Sequence, residues 1–199
     1  VTNNDILRRI RYTFDFNDKK MIAVFALADC IVTREQISDW LKQDEDPAFK
    51  ECDDTLLATF LNGLIIFKRG KKEGPQPEPE KRLTNNIIFR KLKIALDLQA
   101  DDILEILDRA NFNISKHELS AFFRKKGHKH YRECKEQILR KFLKGTQLKY
   151  RKSCEPESEL EDEPKDESVW KTKPKAEPKQ KPNTKPAVKS KPKLSLQKK

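Results

Sequence analysis

The chain has only four cysteines and five glycines, and no apolar run long enough to cross a membrane, which removes several classes of protein at once. Cys30, Cys52, Cys134 and Cys154 lie far apart and form no CxxC pair, so the usual metal and redox dithiol signatures are missing. Apolar runs such as Leu64-Ile65-Ile66-Phe67 stop far short of a membrane span, and a soluble protein without membrane partners is expected. The opening residues Thr2, Asn3, Asn4 and Asp5 are polar and give no secretory signal, which leads us to expect reduced thiols and a cytoplasmic location. There is no glycine-rich phosphate loop, nucleophile elbow or HExxH motif. Catalysis and cofactors therefore have no support, and isolated carboxylates such as Asp15 and Asp97 read as helix-end residues.

What is present is charge. Charged residues make up 38% of the 199 positions and hydrophobic ones 36%, a low apolar share for one packed globule, so part of the chain should remain unfolded. The formal net charge of +11 favours anionic partners.

The chain also repeats itself. A shift of 82 pairs residues 2–70 with 84–152 without a gap, and 15 of the 69 pairs are identical. Thr2-Asn3-Asn4 falls on Thr84-Asn85-Asn86, Arg8 on Arg90, Ser38 on Ser120 and Glu51-Cys52 on Glu133-Cys134. Leu57, Phe60, Leu61 and Gly63 recur as Leu139, Phe142, Leu143 and Gly145. Such self-similarity marks a tandem structural repeat. Between the copies, residues 71–83 carry Pro75, Pro77 and Pro79 among Lys and Glu, a polar linker that cannot continue a helix.

Each copy should hold four short helices. In the first copy these cover about residues 4–14, 18–28, a stretch from Thr33 onward, and 54–68, with apolar side chains at three- and four-residue steps. Thr33 through Gln36 and Ser115 through Glu118 have the spacing of a capping box. Gly63 and Gly145 lie inside the last helix of each copy, where glycine costs about 1 kcal/mol against alanine. Close approach of another helix, or fraying of the helix end, would account for them. The expected architecture is all-α, with two tandem copies of a four-helix unit packed together and a disordered tail after them. A 70-residue unit has too small a core to stand comfortably alone.

The copies differ in charge. Residues 2–70 hold 10 Lys/Arg against 12 Asp/Glu, a net of −2, while residues 84–152 hold 17 against 8, a net of +9. The excess gathers at Arg124, Lys125, Lys126, His128, Lys129, His130 and Arg132, around Gly127 and Tyr131, where the first copy has an acidic stretch from Lys42 to Lys50. A basic loop with a glycine, an aromatic and two histidines suits phosphate contact and base stacking. It also suits a solvated charged loop with Tyr131 turned inward like Phe49. Arg140, Lys141 and Lys144 on the following helix would extend the patch.

The second and third helices of each copy look like a helix-turn-helix, in which a capped helix enters a DNA groove. In the second copy its outward residues would be Lys116, His117, Ser120 and Arg124. The turn lacks the usual glycine, and any capped helix pair gives a similar pattern. His128, His130 and Cys134 have the composition of three metal ligands, but Cys134 matches Cys52 in a copy without those histidines, so no metal is expected.

Residues 153–199 contain seven of the eleven prolines and almost no large apolar side chains, and read as disordered. Residues 155–167 carry eight acids and one lysine, and residues 171–199 carry eleven lysines and one acid. The tail either solubilises the chain or competes with, and adds to, phosphate contacts.

The segments Arg82 to Leu92, Phe123 to Cys134 and Phe142 to Gly145 resemble the YehS-like family of bacterial cytoplasmic proteins, whose shared domain has no assigned activity. The resemblance covers residues 2–152. It implies the duplicated architecture and assigns no catalytic residue. Taken together, a binding protein that contacts nucleic acid, DNA or RNA, through the basic face of copy two is expected. The alternative is a protein-interaction adaptor that uses copy one or the groove between the repeats, with an acidic protein as partner.

Overall fold

The structure, a computed structural model, describes residues 1–151, and the expected disordered tail lies outside them. The described residues form eight helices and no strand: α1 (Asn3–Thr13), α2 (Asp18–Leu27), α3 (Arg34–Leu41), α4 (Asp54–Arg69), α5 (Asn85–Ala95), α6 (Ala100–Arg109), α7 (Lys116–Phe122) and α8 (Glu136–Tyr150). The starts of six of these helices are set by short polar side chains that take up the free backbone donors of the first turn. Thr2, Asn17, Thr33 and Asp53 cap α1 to α4, and Thr84 and Ser115 cap α5 and α7. Both expected capping boxes form. Thr33 accepts from the Gln36 N–H at 3.3 Å, and Ser115 accepts from the Glu118 N–H at 3.2 Å.

Asp15 and Asp97 end α1 and α5 as the sequence suggests, with left-handed φ values of 50° and 54° just past the caps. Asp29 and its counterpart Asn111 do the same after α2 and α6, at 56° and 53°. Asp and Asn tolerate this region because their short polar side chains bond locally.

The Thr-Asn-Asn motif of each copy stitches distant segments to the first helix. The buried Asn4 amide donates to the carbonyls of Trp40 at 2.8 Å and Lys50 at 2.9 Å, and its oxygen accepts the Cys52 N–H at 2.9 Å. Asn86 repeats all three bonds with Phe122, Arg132 and Cys134, each at 2.9 Å. This one side chain therefore holds both ends of the loop that carries the basic bend. An Asn86→Ala variant leaves a buried N–H and two carbonyls without partners, and should lose about 3 kcal/mol in urea denaturation. A loss under about 0.5 kcal/mol would mean that the loop is held elsewhere.

Within each copy the last helix meets the second at a glycine. A Cβ on Gly63 would run into the Val24 carbonyl of α2, and one on Gly145 into the Ile106 carbonyl of α6. Close helix approach, and not fraying, is why glycine stands there.

The copies pack on each other through α4 against α5 and α8 against α1. Under the shift of 82, α1 maps onto α5 and α4 onto α8, so exchanging the copies turns one of these contacts into the other. The linker is tied across this joint. The Asn62 amide donates to the Pro77 carbonyl at 3.1 Å, and the Leu83 N–H to the Asp54 carboxylate at 2.9 Å. Lys91, only 7% exposed, bonds Asn62 and pairs with Glu80 at 2.8 Å. On the other side, the Arg151 guanidinium lies 3.2 Å from the Tyr12 ring centroid and donates to the Tyr12 carbonyl at 2.6 Å. Phe14 meets Tyr150 at 5.8 Å.

Candidate anion-binding site

The bend between α7 and α8 repeats the backbone hydrogen bonds of the bend between α3 and α4, although Gly127 takes a positive φ of 96° where its counterpart Glu45 does not. The Tyr131 N–H bonds the His128 carbonyl at 2.8 Å, as Phe49 bonds Asp46 at 2.9 Å. The Arg132 N–H reaches the Ala121 carbonyl at 3.2 Å, as Lys50 reaches Asp39 at 3.2 Å. Tyr131 and Phe49 are both half-buried. Even the local cap is preserved, since the His130 N–H donates to His128 Nδ1 at 3.1 Å where Ala48 donates to the Asp46 carboxylate at 2.8 Å. One frame thus carries two different charge sets.

In the first copy the cations are matched. The Asp39 carboxylate bridges Lys42 at 3.1 Å and Lys50 at 2.9 Å, and those two partners, Lys50 first, hold its pKa below the usual carboxylate range. Arg8 is held by Asp5 at 2.8 Å and by Asp44 at 3.2 Å. In the second copy the cations persist as Arg90, Arg124 and Arg132, but the carboxylates have become Ile87, Ala121 and Lys126. Arg124, Lys125, Lys126, Lys129 and Arg132 make no ion pair among the described residues.

His117, Arg124, Lys129, His130 and Arg132 converge on a recess of about 140 Å³ between α7 and the bend, closed by Glu118, Ala121 and Tyr131. Glu118 is the one acid in this wall. One oxygen of its carboxylate, Oε2, is taken up by the capping box, accepting from the Ser115 N–H and Oγ at 2.9 Å each. The Ser115 backbone bond, with smaller help from Arg132 and His117, keeps Glu118 ionised below the usual range. Lys125, Lys126 and His128 are exposed on the bend and do not line the recess.

The other residues expected on this face do not line the recess. Lys116 pairs with Asp101 at 2.6 Å, and Arg140 with Glu136 at 2.6 Å. Lys141 donates to the Ala110 carbonyl at 3.1 Å, closing the end of α6. Lys144 is exposed, at the position matched by Asn62, which puts it beside the α8–α1 joint. Ser120 bonds back to the His117 carbonyl at 2.8 Å. With α7 only seven residues long, the positive surface is centred on the bend, and α7 adds His117 to it. Ala121 belongs to the site and was missed. Counting charges per copy hides it, whereas matching each carboxylate of copy one to its counterpart finds it.

Cys134 does not join the histidines. It is fully buried, and burial pushes its thiol up to about 12, as burial does first and neighbouring acids second for Cys52. Both cysteines fill the same core position. Among the described residues no group of three or more His, Cys, Asp or Glu is placed to hold a metal.

The exchange of acid for base also reached a helix cap. Asp53 caps α4 by accepting the Leu56 N–H at 2.6 Å, whereas its counterpart Lys135 makes no such bond to α8. A Lys135→Asp variant should gain about 1 kcal/mol by thermal melting. A melt below the wild type would show that Lys135 has another structural role.

Residues 3–70 and 85–152 each match the family described as protein of unknown function DUF1456. The chain belongs to that family. The DUF1456 chain is 46% identical over 146 residues to the uncharacterized protein YehS of Escherichia coli strain K12, across 73% of this chain and 94% of that protein. Neither description carries an activity, and no solved structure matches. The family matches stop at the two helical units, so the charged tail stands outside them. No helix among the described residues is long and apolar enough to cross a membrane.

Proposed function

We propose that this DUF1456 chain is a non-enzymatic, cytoplasmic nucleic-acid-binding protein that contacts phosphates through the α7–α8 bend of its second repeat. The observation that carries the reading is the loss of partners. The bend keeps the cations of copy one, adds Lys125, Lys126 and Lys129, and has none of the carboxylates that neutralise the first bend. Cations held on a fixed backbone without internal counter-ions favour a polyanion, whose condensed ions are released on binding. Tyr131, half-buried at the recess, and His117 and His130 beside it supply ring faces of the kind that stack on unpaired bases. Cys30, Cys52 and Cys134 are unpaired thiols, in keeping with a reducing compartment.

The test is the affinity of the full chain for random duplex DNA and for structured RNA across a salt series. Binding should weaken steeply as salt rises. If nothing binds at low salt, the adaptor reading takes over. That reading is favoured by a mainly apolar groove of about 320 Å³ where the linker crosses α4, lined by Ile65, Ile66, Pro77 and Pro79.

A further inference from the structure

We propose that the recess at Ala121 is a binding site for a single phosphate group, seated where copy one keeps the carboxylate of Asp39. The proposal deepens the reading above, and depends on it only for the source of the phosphate.

Copy one shows what the frame does with an anion at this point. Asp39 lies on α3 with one oxygen 3.1 Å from Lys42 and the other 2.9 Å from Lys50, so a carboxylate bridges the cations at the two ends of the bend. Lys42 and Lys50 correspond to Arg124 and Arg132, and Asp39 to Ala121. The backbone bond that sets this spacing, from residue 50 to 39 or from 132 to 121, is 3.2 Å in both copies. In copy two the cations remain, with the fork-shaped guanidinium in place of lysine, while the bridging anion is removed and an open recess lies over the alanine. Guanidinium groups match phosphate oxygens two at a time, which an ammonium cannot do.

The remaining lining has changed in the same sense. Glu35 has become His117 and Pro47 has become Lys129, against one acid gained where Gln36 has become Glu118. The recess, at about 140 Å³, is several times the ~30 Å³ share of one water in the liquid. A phosphate group with attendant water fits that space.

The experiment titrates the full chain with inorganic phosphate and follows backbone amide shifts at residues 121–132, for the wild type, Ala121→Asp and Asp39→Ala. Ala121→Asp restores the internal carboxylate on a backbone that already carries one in copy one. It should weaken phosphate binding at the bend about tenfold or more, as expected when a charge-assisted pair of hydrogen bonds is lost. Asp39→Ala should create a second responding bend at residues 39–50, weaker than the first because its cations are lysines, and this gain keeps the test decisive even if Ala121→Asp folds poorly. Random duplex DNA and structured RNA, titrated in parallel, separate the sources. If Ala121→Asp weakens both phosphate and nucleic-acid binding, the site takes backbone phosphates. If it weakens only inorganic phosphate, the site stands and serves a free phosphate or a small phosphorylated molecule, and nucleic acid binds without it. Unchanged phosphate binding in Ala121→Asp, or no shift at the wild-type bend, overturns the site even where nucleic-acid binding survives. An equal response to acetate would also overturn the phosphate assignment, in favour of an acidic protein segment.

Discussion

Replacing Gly145 with alanine should destabilise the second repeat by about 3 kcal/mol, the upper end of the usual cost of overpacking, and Gly63→Ala should do the same in the first. The intrinsic preference runs the other way, since alanine favours a helix interior by about 1 kcal/mol over glycine. The added methyl would have to share space with the backbone carbonyl of Ile106 or Val24, which cannot swing aside as a side-chain tip could. Val24 and Ile106 are fully buried, so yielding would move α2 or α6 as a whole. For a chain of this size the loss corresponds to a fall in melting temperature of roughly 6–12 °C. A rise in melting temperature for either variant would mean that helix propensity wins, and that the helices are looser than the structure has them.

The second large effect is expected from reversing Arg124, Lys125, Lys126 and Lys129 to glutamate. Each phosphate contact contributes about 0.9 to the slope of log affinity against log salt on duplex DNA. Removing up to four such contacts should therefore flatten the slope by about 3 to 4, with an affinity loss at low salt of at least about a hundredfold. The full chain also carries eleven lysines in residues 171–199, so comparison with wild type, and not the absolute affinity, isolates the bend. The matched control is Arg140→Glu with Lys141→Glu. Those two cations are already engaged, by Glu136 at 2.6 Å and the Ala110 carbonyl at 3.1 Å, and their reversal should change the slope by less than about 1. Equal effects from the two variants would assign the binding to overall charge and remove the bend's special role.

Much of this architecture is readable without coordinates because the same solution is written twice. The ungapped match of residues 2–70 with 84–152, the three- and four-residue apolar steps and the capping boxes at Thr33 and Ser115 all rest on local chemistry that folding preserves. Helix ends differ from expectation by a residue, as α1 closes at Thr13 and α4 runs on to Arg69. The candidate site was legible in its centre and not at its margins. The bend residues stand together because they are contiguous in the chain. Lys116, Arg140 and Lys141 could not be placed from sequence, because their partners Asp101, Glu136 and the Ala110 carbonyl are fixed by helix rotation and by packing of α6 on α8. Asn86 was visible as part of a repeated motif, but its three bonds span 36 to 48 residues, and no local pattern reports them.

The way the two units exchange contacts, α1 with α8 and α5 with α4, is the arrangement of an isologous dimer whose subunits have been joined. In such a dimer of identical chains, symmetry cancels every component of the electric dipole perpendicular to the axis. Fusion lifts that constraint. With −2 on one side and +9 on the other, the joined molecule acquires a transverse dipole that no pair of identical subunits could have. A field from a distant polyanion would then turn the molecule before it touches, so that the electropositive half arrives first and fewer encounters are wasted.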